Sequence, residues 1–260
     1  MAKGEKKYSE NQILELASYT GKIILQNGGE VYRAEDVINR VGNHFGYEVD
    51  AFVTLTCVMV SLKSNNGNCS TVITRIKKRD LNLNKIHKAN NLIRHINEYT
   101  YDEFYKKMKN IEKNFFLEPY RFIIGCILIG ATFPVLFNAW INEIIIGGIG
   151  GLFVGTALVI LNKYEVNSVL TNIVGGIICS LVACIATYLG YTTQTSAVII
   201  SDLMILVPGI AFVNSIRDFT SGDLIAGTSR LTEVIMVAAS LAVGTGIVLK
   251  AFMSLGGVVY

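Results

Sequence analysis

Residues 141–161, INEIIIGGIGGLFVGTALVIL, form an apolar run whose one charged residue lies near its start. A helix of this length covers about 30 Å, which is the thickness of the hydrocarbon core of a bilayer. Four more runs of similar length and apolarity are present in the same half of the chain. The sequence therefore predicts about five transmembrane helices. The other four lie near residues 122–140, 168–190, 195–213 and 231–252.

Charge is distributed unevenly along the 260 residues. Residues 1–121 contain 19 of the 23 Lys and Arg residues and 14 of the 20 Asp and Glu residues. Such a split is typical of a polar domain that precedes a membrane domain. We expect a cytosolic domain at 1–118 and a transmembrane helical domain at 119–260.

The polar half shows both helical and strand patterns. Two apolar periodic stretches before Gly46 and two after Asn82 predict helices, and Asn82 or Asn84 is the expected N-cap of the third. Residues 47–62 are rich in β-branched and aromatic side chains and predict a strand. Asn-Asn-Gly-Asn at 65–68 predicts a hairpin turn to a partner strand. The predicted fold class is an α-helical membrane protein with an N-terminal soluble α+β domain.

Several classes of function lack support in the sequence. It contains no phosphate-binding loop, nucleophile elbow or zinc-protease motif, so we expect no enzyme activity, no cofactor and no metal. The odd number of cysteines, without an export signal, favours reduced thiols. The basic run at 75–80 favours contact with anionic lipid, or a solvated turn, over nucleic acid.

The positions of Lys and Arg predict the orientation in the membrane. They cluster before the first span, with one between spans two and three and two between spans four and five, and they are absent from the other two connections. Positive residues favour the cytosolic side. We expect a multi-pass protein of the plasma (inner) membrane, with the N-terminus in the cytosol and the C-terminus outside.

Glycines recur every four residues in the second predicted span, at Gly147, Gly151 and Gly155. Small residues at this spacing let helix backbones approach closely in lipid. They predict a helix-packing face within a bundle or against partner subunits.

The fourth predicted span is unusual because it contains an acid and a break. Asp202 lies about seven residues into it, where a carboxylate usually faces a cavity, a partner or a permeant ion. Pro208 and Gly209 interrupt the helix, and transporters use such breaks to direct backbone groups at substrates. We predict that these three residues belong to a substrate or ion pathway.

Charged residues follow this break. Arg230 and Glu233 share a face if the last span is already helical there. Either this region is an interfacial cluster of ion pairs, or it forms a gate or charged vestibule in which Arg217 or Arg230 attracts a substrate carboxylate. The candidate residues at this cytosolic end are Asn214, Arg217, Asp218, Asp223, Arg230 and Glu233.

Two separated motifs resemble the threonine/serine exporter (ThrE) family. The first comprises Pro208-Gly209-Ile210, Asn214, Arg217-Asp218, Gly222-Asp223, Arg230 and Glu233. The second comprises Gly21, Gly29, Glu30, Arg33 and Glu35. The resemblance covers nearly the whole chain and implies secondary transport of small polar metabolites, without ATP hydrolysis.

The chain length suggests which form of that family it resembles. One soluble domain with about five spans is similar to the larger, YjjP-type subunit of split members, which works with a smaller YjjB-type membrane subunit. The resemblance implies an oligomer in membrane lipid that exports threonine/serine-type amino acids or, alternatively, succinate and other C4-dicarboxylates. A membrane-anchored sensor or enzyme acting through residues 1–118 is the alternative of another class.

Overall fold

The computed structural model describes residues 8–63, 69–113 and 118–258. The chain forms two compact units. The first unit comprises Met1–Phe115 and Ile210–Leu231, and the second comprises Phe116–Gly209 and Thr232–Tyr260.

Two helices form the centre of the first unit, α1 (Glu10–Gln26) and α2 (Val31–His44). Ser9 begins α1 with a capping box, in which its hydroxyl accepts the Gln12 N–H and Gln12 binds back to the Ser9 N–H. The predicted apolar face of α1 is confirmed, because all of its residues are buried. They are Ile13, Leu16, Ala17, Thr20 and Ile24.

A three-stranded antiparallel sheet packs beside these helices, in the order β1 (Val49–Thr54), β2 (Cys57–Lys63) and β3 (Cys69–Arg75). The single strand predicted at 47–62 is wrong, because a two-residue turn after Thr54 divides it into β1 and β2. The turn contains Leu55 and Thr56, neither of which is a typical turn former. The predicted 65–68 turn lies outside the described residues, although β2 and β3 pair antiparallel on either side of it.

Two more helices complete the N-terminal part of this unit, α3 (Leu83–Arg94) and α4 (Tyr101–Lys113). Asn82 is the N-cap of α3, as one of the two predicted alternatives, and accepts the Lys85 N–H at 3.0 Å. Phe104 and Met108 of α4 are fully buried in the core that α1, α2 and the sheet share.

The second unit consists of apolar helices: α5 (Pro119–Thr132), α6 (Ile141–Lys163), α7 (Ser168–Tyr188) and α8 (Thr195–Leu203). The helix α9 (Gly209–Thr220) leads back into the first unit, and α10 (Leu224–Ser254) begins in the first unit and continues into the second. Within the described residues, four segments are long and apolar enough to cross a membrane. These are Pro119–Phe137, Ile141–Lys163, Ser168–Tyr188 and Leu224–Ser254.

The fourth of the five predicted spans is therefore not one continuous helix. The stretch 195–213 divides into α8 and the start of α9, separated at 204–208, because Pro208 has no N–H to continue the hydrogen-bond ladder. The structure also corrects the interpretation of 214–230 as a long connection, since most of it is helical. Residues 210–231 belong to the first unit, and the predicted domain boundary at 118/119 stays a prediction.

Candidate functional site

Asp202 lies on α8 and is fully buried within the second unit. Neither of its carboxylate oxygens has a hydrogen-bond partner among the described residues. Buried polar groups in proteins are nearly always hydrogen-bonded, because desolvation without compensation is costly. An unpartnered carboxyl group inside an apolar helical unit is therefore the feature that most strongly indicates a functional site.

Glycines surround the Asp202 carboxyl group. A Cβ atom added to Gly130 of α5 would lie 2.8 Å from Asp202 Oδ1, and one added to Gly150 of α6 would overlap the carboxyl oxygens. The helix backbones at these two positions therefore approach the carboxyl group directly. Only glycine leaves this space, so the sequence of α5 and α6 makes room for the acid on α8.

The glycines at four-residue spacing in α6 face α5. Gly147 contacts the Gly130 backbone, Gly151 contacts the Cys126 carbonyl, and a Cβ at Gly155 would lie 3.0 Å from the Cys126 side chain. The close crossing of α5 and α6 brings Gly130 and Gly150 to the same carboxyl group. Close backbone contact replaces the hydrophobic driving force that is missing between helices in lipid.

The segment that follows α8 is a tight non-helical turn. The carbonyl of Leu203 accepts the N–H groups of both Leu206 and Val207, and the Gly209 N–H binds the Val207 carbonyl. Leu206 lies against Gly175 of α7, where an added Cβ would lie 2.5 Å from its Cδ1 atom. The break at 204–208 thus begins only two residues after the unpartnered acid.

A second buried acid, Glu143, was missed by the sequence analysis. Its carboxylate accepts the Thr192 hydroxyl at 2.6 Å and the Trp140 N–H at 3.0 Å. Glu143 lies three residues after the N-cap Trp140 and accepts its main-chain N–H, but tryptophan is not a capping residue, so no capping motif marked this acid in the sequence. Glu143 is satisfied by these bonds, which distinguishes it from Asp202.

The predicted polar and charged residues at 214–230 make a different structure in the first unit. Four of them each bind one residue of the tetrapeptide Gly28-Gly29-Glu30-Val31, which connects α1 to α2. We call these eight residues the loop clasp. The side-chain members are Asn214, Arg217, Asp218 and Arg230.

The contacts of the loop clasp follow the tetrapeptide in order. Asn214 Nδ2 donates to the Gly28 carbonyl at 3.0 Å, and Arg230 Nη2 donates to the Gly29 carbonyl at 3.1 Å. Arg217 Nη1 binds Glu30 Oε1 at 2.7 Å. The Val31 main-chain N–H donates to an Asp218 carboxylate oxygen at 3.3 Å.

Two ion pairs with different exposure stabilise the clasp. Arg230 binds Asp218 at 3.1 Å, and their side chains are 7% and 0% exposed. Arg217 is 52% exposed, although its partner Glu30 is only 7% exposed. Burial raises the pKa of Asp218, and the opposing effects of Arg230 and the N–H donor at 31 reduce this rise.

The structure thus separates the predicted site residues. Asp202 lies in the second unit, whereas the four side chains of the loop clasp lie in the first, and each of those four has an intramolecular partner. Asp223 is partly buried in the first unit, and burial raises its pKa. Glu233 lies on an exposed position of α10, and Gly209 has open space around it. The pathway role of all these residues remains a prediction.

Comparison with known proteins assigns the chain to a family. A family model described as a putative threonine/serine exporter matches residues 15–252. The chain therefore belongs to the threonine/serine exporter (ThrE) family, and the resemblance expected from the two motifs is confirmed. This is a family of membrane exporters and not of enzymes.

A curated relative, the threonine/serine exporter of Corynebacterium glutamicum, is 23% identical over 247 residues. The match covers 90% of this chain and 50% of the relative, so the chain spans about half the length of the exporter that it resembles. No solved structure matches the chain.

Proposed function

We propose that this protein is a subunit of a secondary transporter that exports threonine/serine-type amino acids across the plasma membrane. Its family and its four long apolar helices support this function at the level of membrane export. The observation that carries the mechanism is the buried, unpartnered carboxyl group of Asp202.

Asp202 is the proposed carrier of the coupled proton or cation. An ionised carboxylate without a partner is costly in an apolar interior, so it favours a bound proton or a bound cation. A carboxyl group that binds a proton or cation when buried, and releases it when exposed to water, links ion movement to a change of conformation. Gly130 and Gly150, which approach the carboxyl group directly, have no side chain that could neutralise it.

The break after α8 is the second element of the proposed pathway. Non-helical backbone at membrane depth is tolerated where protein or water satisfies its polar groups. The turn at 204–208 lies directly after Asp202 in the chain, so a small polar substrate and the carrier carboxyl group would meet in the same part of the unit. Backbone groups at such breaks bind substrates in other transporters.

The two arginines of the loop clasp are left out of this pathway. Arg230 is buried and bound to Asp218, and Arg217 is bound to Glu30. Each guanidinium group is already paired with a protein carboxylate, which weakens its attraction for a substrate carboxylate. We therefore assign Arg217 and Arg230 to the clasp.

A smaller membrane partner of the YjjB type is part of the proposal. The chain covers 50% of the relative's length, so a second chain of about five spans would supply what the relative carries in its remaining half. Glycine-rich helix faces suit packing against such a partner as well as within this chain. Export of succinate or another C4-dicarboxylate by the same pair is the alternative substrate assignment.

The test is efflux from vesicles preloaded with labelled threonine, serine or succinate. The chain is compared alone and with its small partner, with and without a proton gradient. We expect efflux of a hydroxy amino acid only when both chains are present, and a gradient-driven component that Asp202→Asn abolishes. Efflux of succinate alone would support the alternative substrate. If Asp202→Asn left both the rate and its response to the gradient unchanged, the carrier role would be wrong.

A further inference from the structure

The loop clasp joins segments that are about 190 residues apart in the chain. Four consecutive residues, 28 to 31, each bind a different side chain from residues 214–230. The side chains that make these bonds are almost completely buried, except that of Arg217. A chance surface contact would not use every residue of a tetrapeptide in sequence.

The chemistry of the clasp fits the two helix ends that it binds. Gly28 and Gly29 end α1, where carbonyl oxygens lack helical partners, and they receive the amide of Asn214 and the guanidinium of Arg230. The first N–H of α2 donates to the Asp218 carboxylate, whose negative charge is favoured at the positive end of a helix dipole. Glu30, the N-cap of α2, makes no cap of its own. Side-chain donors and acceptors from 214–230 thus satisfy main-chain groups at the C-terminal end of α1 and the N-terminal end of α2.

Glu30 is the one member of the tetrapeptide that binds through its side chain. Its Oε1 atom binds Arg217 of α9 at 2.7 Å, and its Oε2 atom binds Arg33 of α2 at 3.0 Å. The carboxylate is 7% exposed, whereas both arginines reach solvent. Glu30 therefore bridges the N-terminal helices to the helix that starts at the Pro208-Gly209 break.

We propose that Glu30 is a positioning residue for transport, and that it acts by fixing α9 through Arg217. The inference rests on the proposed export function. Since α9 begins at Gly209, the position of α9 determines where the broken segment 204–208 ends. The N-terminal helices are then a working part of the transporter, because they fix the helix that follows the broken segment in the chain.

The main test is efflux per folded protein at several substrate concentrations. Glu30→Gln keeps the size of the side chain but removes its charge, and Arg217→Gln removes the partner. We expect each variant to lower the maximal rate about fivefold, the scale of a partly exposed ion pair, with an unchanged half-saturating concentration. Glu30→Asp should restore part of the rate. The double variant should lose no more than either single variant, because both act through one interaction.

Asp36→Asn is the matched control. It removes an ion pair of similar length on the same helix, with Arg40 at 2.9 Å, but both side chains are more than half exposed. We expect its rate to equal that of the unchanged protein. Additive losses in the double variant, or a Glu30→Gln rate equal to that of the control, would overturn the proposal. If Glu30→Gln does not accumulate, the rate of Arg217→Gln is compared with the control instead, because Arg217 is the exposed partner of the same ion pair.

A labelling measurement separates this proposal from the export function itself. Val207→Cys is introduced in the break, in a background where the two cysteines that are not buried, Cys57 and Cys69, are replaced by serine. The rate at which the introduced cysteine reacts with a maleimide can be measured without any transport substrate. Glu30→Gln should change that rate, whereas Asp36→Asn should not. Altered labelling without any efflux would reject the export function and keep the positioning role, and unaltered labelling would reject the positioning role.

Discussion

The carboxyl group of Asp202 occupies the space that a side chain at Gly150 would need. The two residues lie on α8 and α6, and a single methyl group at Gly150 would overlap the carboxyl oxygens. Together with Gly130 on α5, this contact makes the acid part of a three-helix packing arrangement. An acid in this position is retained at the cost of an unpartnered buried group.

Gly150→Ala tests this arrangement. We expect it to destabilise the second unit by about 1–3 kcal/mol or more, because overpacking forces backbone or side-chain shifts. Export should fall strongly, since the carboxyl group must move. The measurements are thermal unfolding in detergent and efflux per inserted protein. Gly125→Ala on α5 is the control, because an added Cβ there meets nothing within 4 Å. Equal effects of the two substitutions would contradict the packing argument.

Asp218→Ala should strongly destabilise the first unit and reduce the protection of its α2 amides. It leaves the buried Arg230 guanidinium without its carboxylate, and breaking a buried ion pair costs about 3–5 kcal/mol. It also removes the acceptor for the first N–H of α2. Hydrogen exchange of the α2 amides provides the local measurement.

Asp36→Ala is the comparison for that variant. Its pair with Arg40 is exposed, and such pairs contribute about 0–1 kcal/mol. Protection of the α2 amides should therefore remain close to that of the unchanged protein. Similar loss of protection in both variants would show that the Asp218 pair is not the stabilising contact.

The apolar helices could be predicted because their determinants are local. The run at 141–161 corresponds to α6, Ile141–Lys163, since length and apolarity alone decide whether a segment can cross a bilayer. The capping residue Asn82 was also recognisable, because its partner Lys85 is only three residues away. Pro208 marked the helix break for the same reason.

The loop clasp could not be predicted from local patterns. Its charges at 214–230 suggested either an interfacial cluster of ion pairs or a charged vestibule, and neither alternative named a partner in the N-terminal part of the chain. Their partners at residues 28–31 are about 190 residues away, and a single sequence gives no measure of that contact. The turn after Thr54 was missed for a different reason, since its stability comes from pairing within the sheet and not from turn-forming residues.

Glu35 gives the first unit a predictable dependence on pH. Burial raises the pKa of its carboxyl group, the nearby Asp223 and Asp50 add to this, and the Val53 N–H that it accepts at 3.1 Å opposes it. An acid with a raised pKa in the folded state contributes stability below its ordinary pKa. That contribution is lost as the pH rises through the raised value.

Glu35→Gln should therefore stabilise the first unit at neutral pH, because glutamine keeps the acceptor for Val53 but has no charge. The gain over the unchanged protein should shrink as the pH falls below the ordinary pKa of a glutamate. Hydrogen exchange of the Val53 amide, compared between the variant and the unchanged protein at several pH values, measures this gain in stability. A constant difference at all pH values, or faster exchange at neutral pH, would show that ionisation of Glu35 is not responsible.

Thr192→Val tests the second buried acid of the membrane helices. The Thr192 hydroxyl donates to Glu143 at 2.6 Å, and both residues are buried. Valine fills the same space but leaves one carboxylate oxygen without a donor, which costs about 1–3 kcal/mol. Thermal unfolding in detergent should show this loss, and Thr192→Ser should restore most of it. Thr156→Val is the control, since its hydroxyl is exposed and binds only the Leu152 carbonyl of its own helix. If the two valine variants unfold at the same temperature, the Glu143 contact does not stabilise the start of α6.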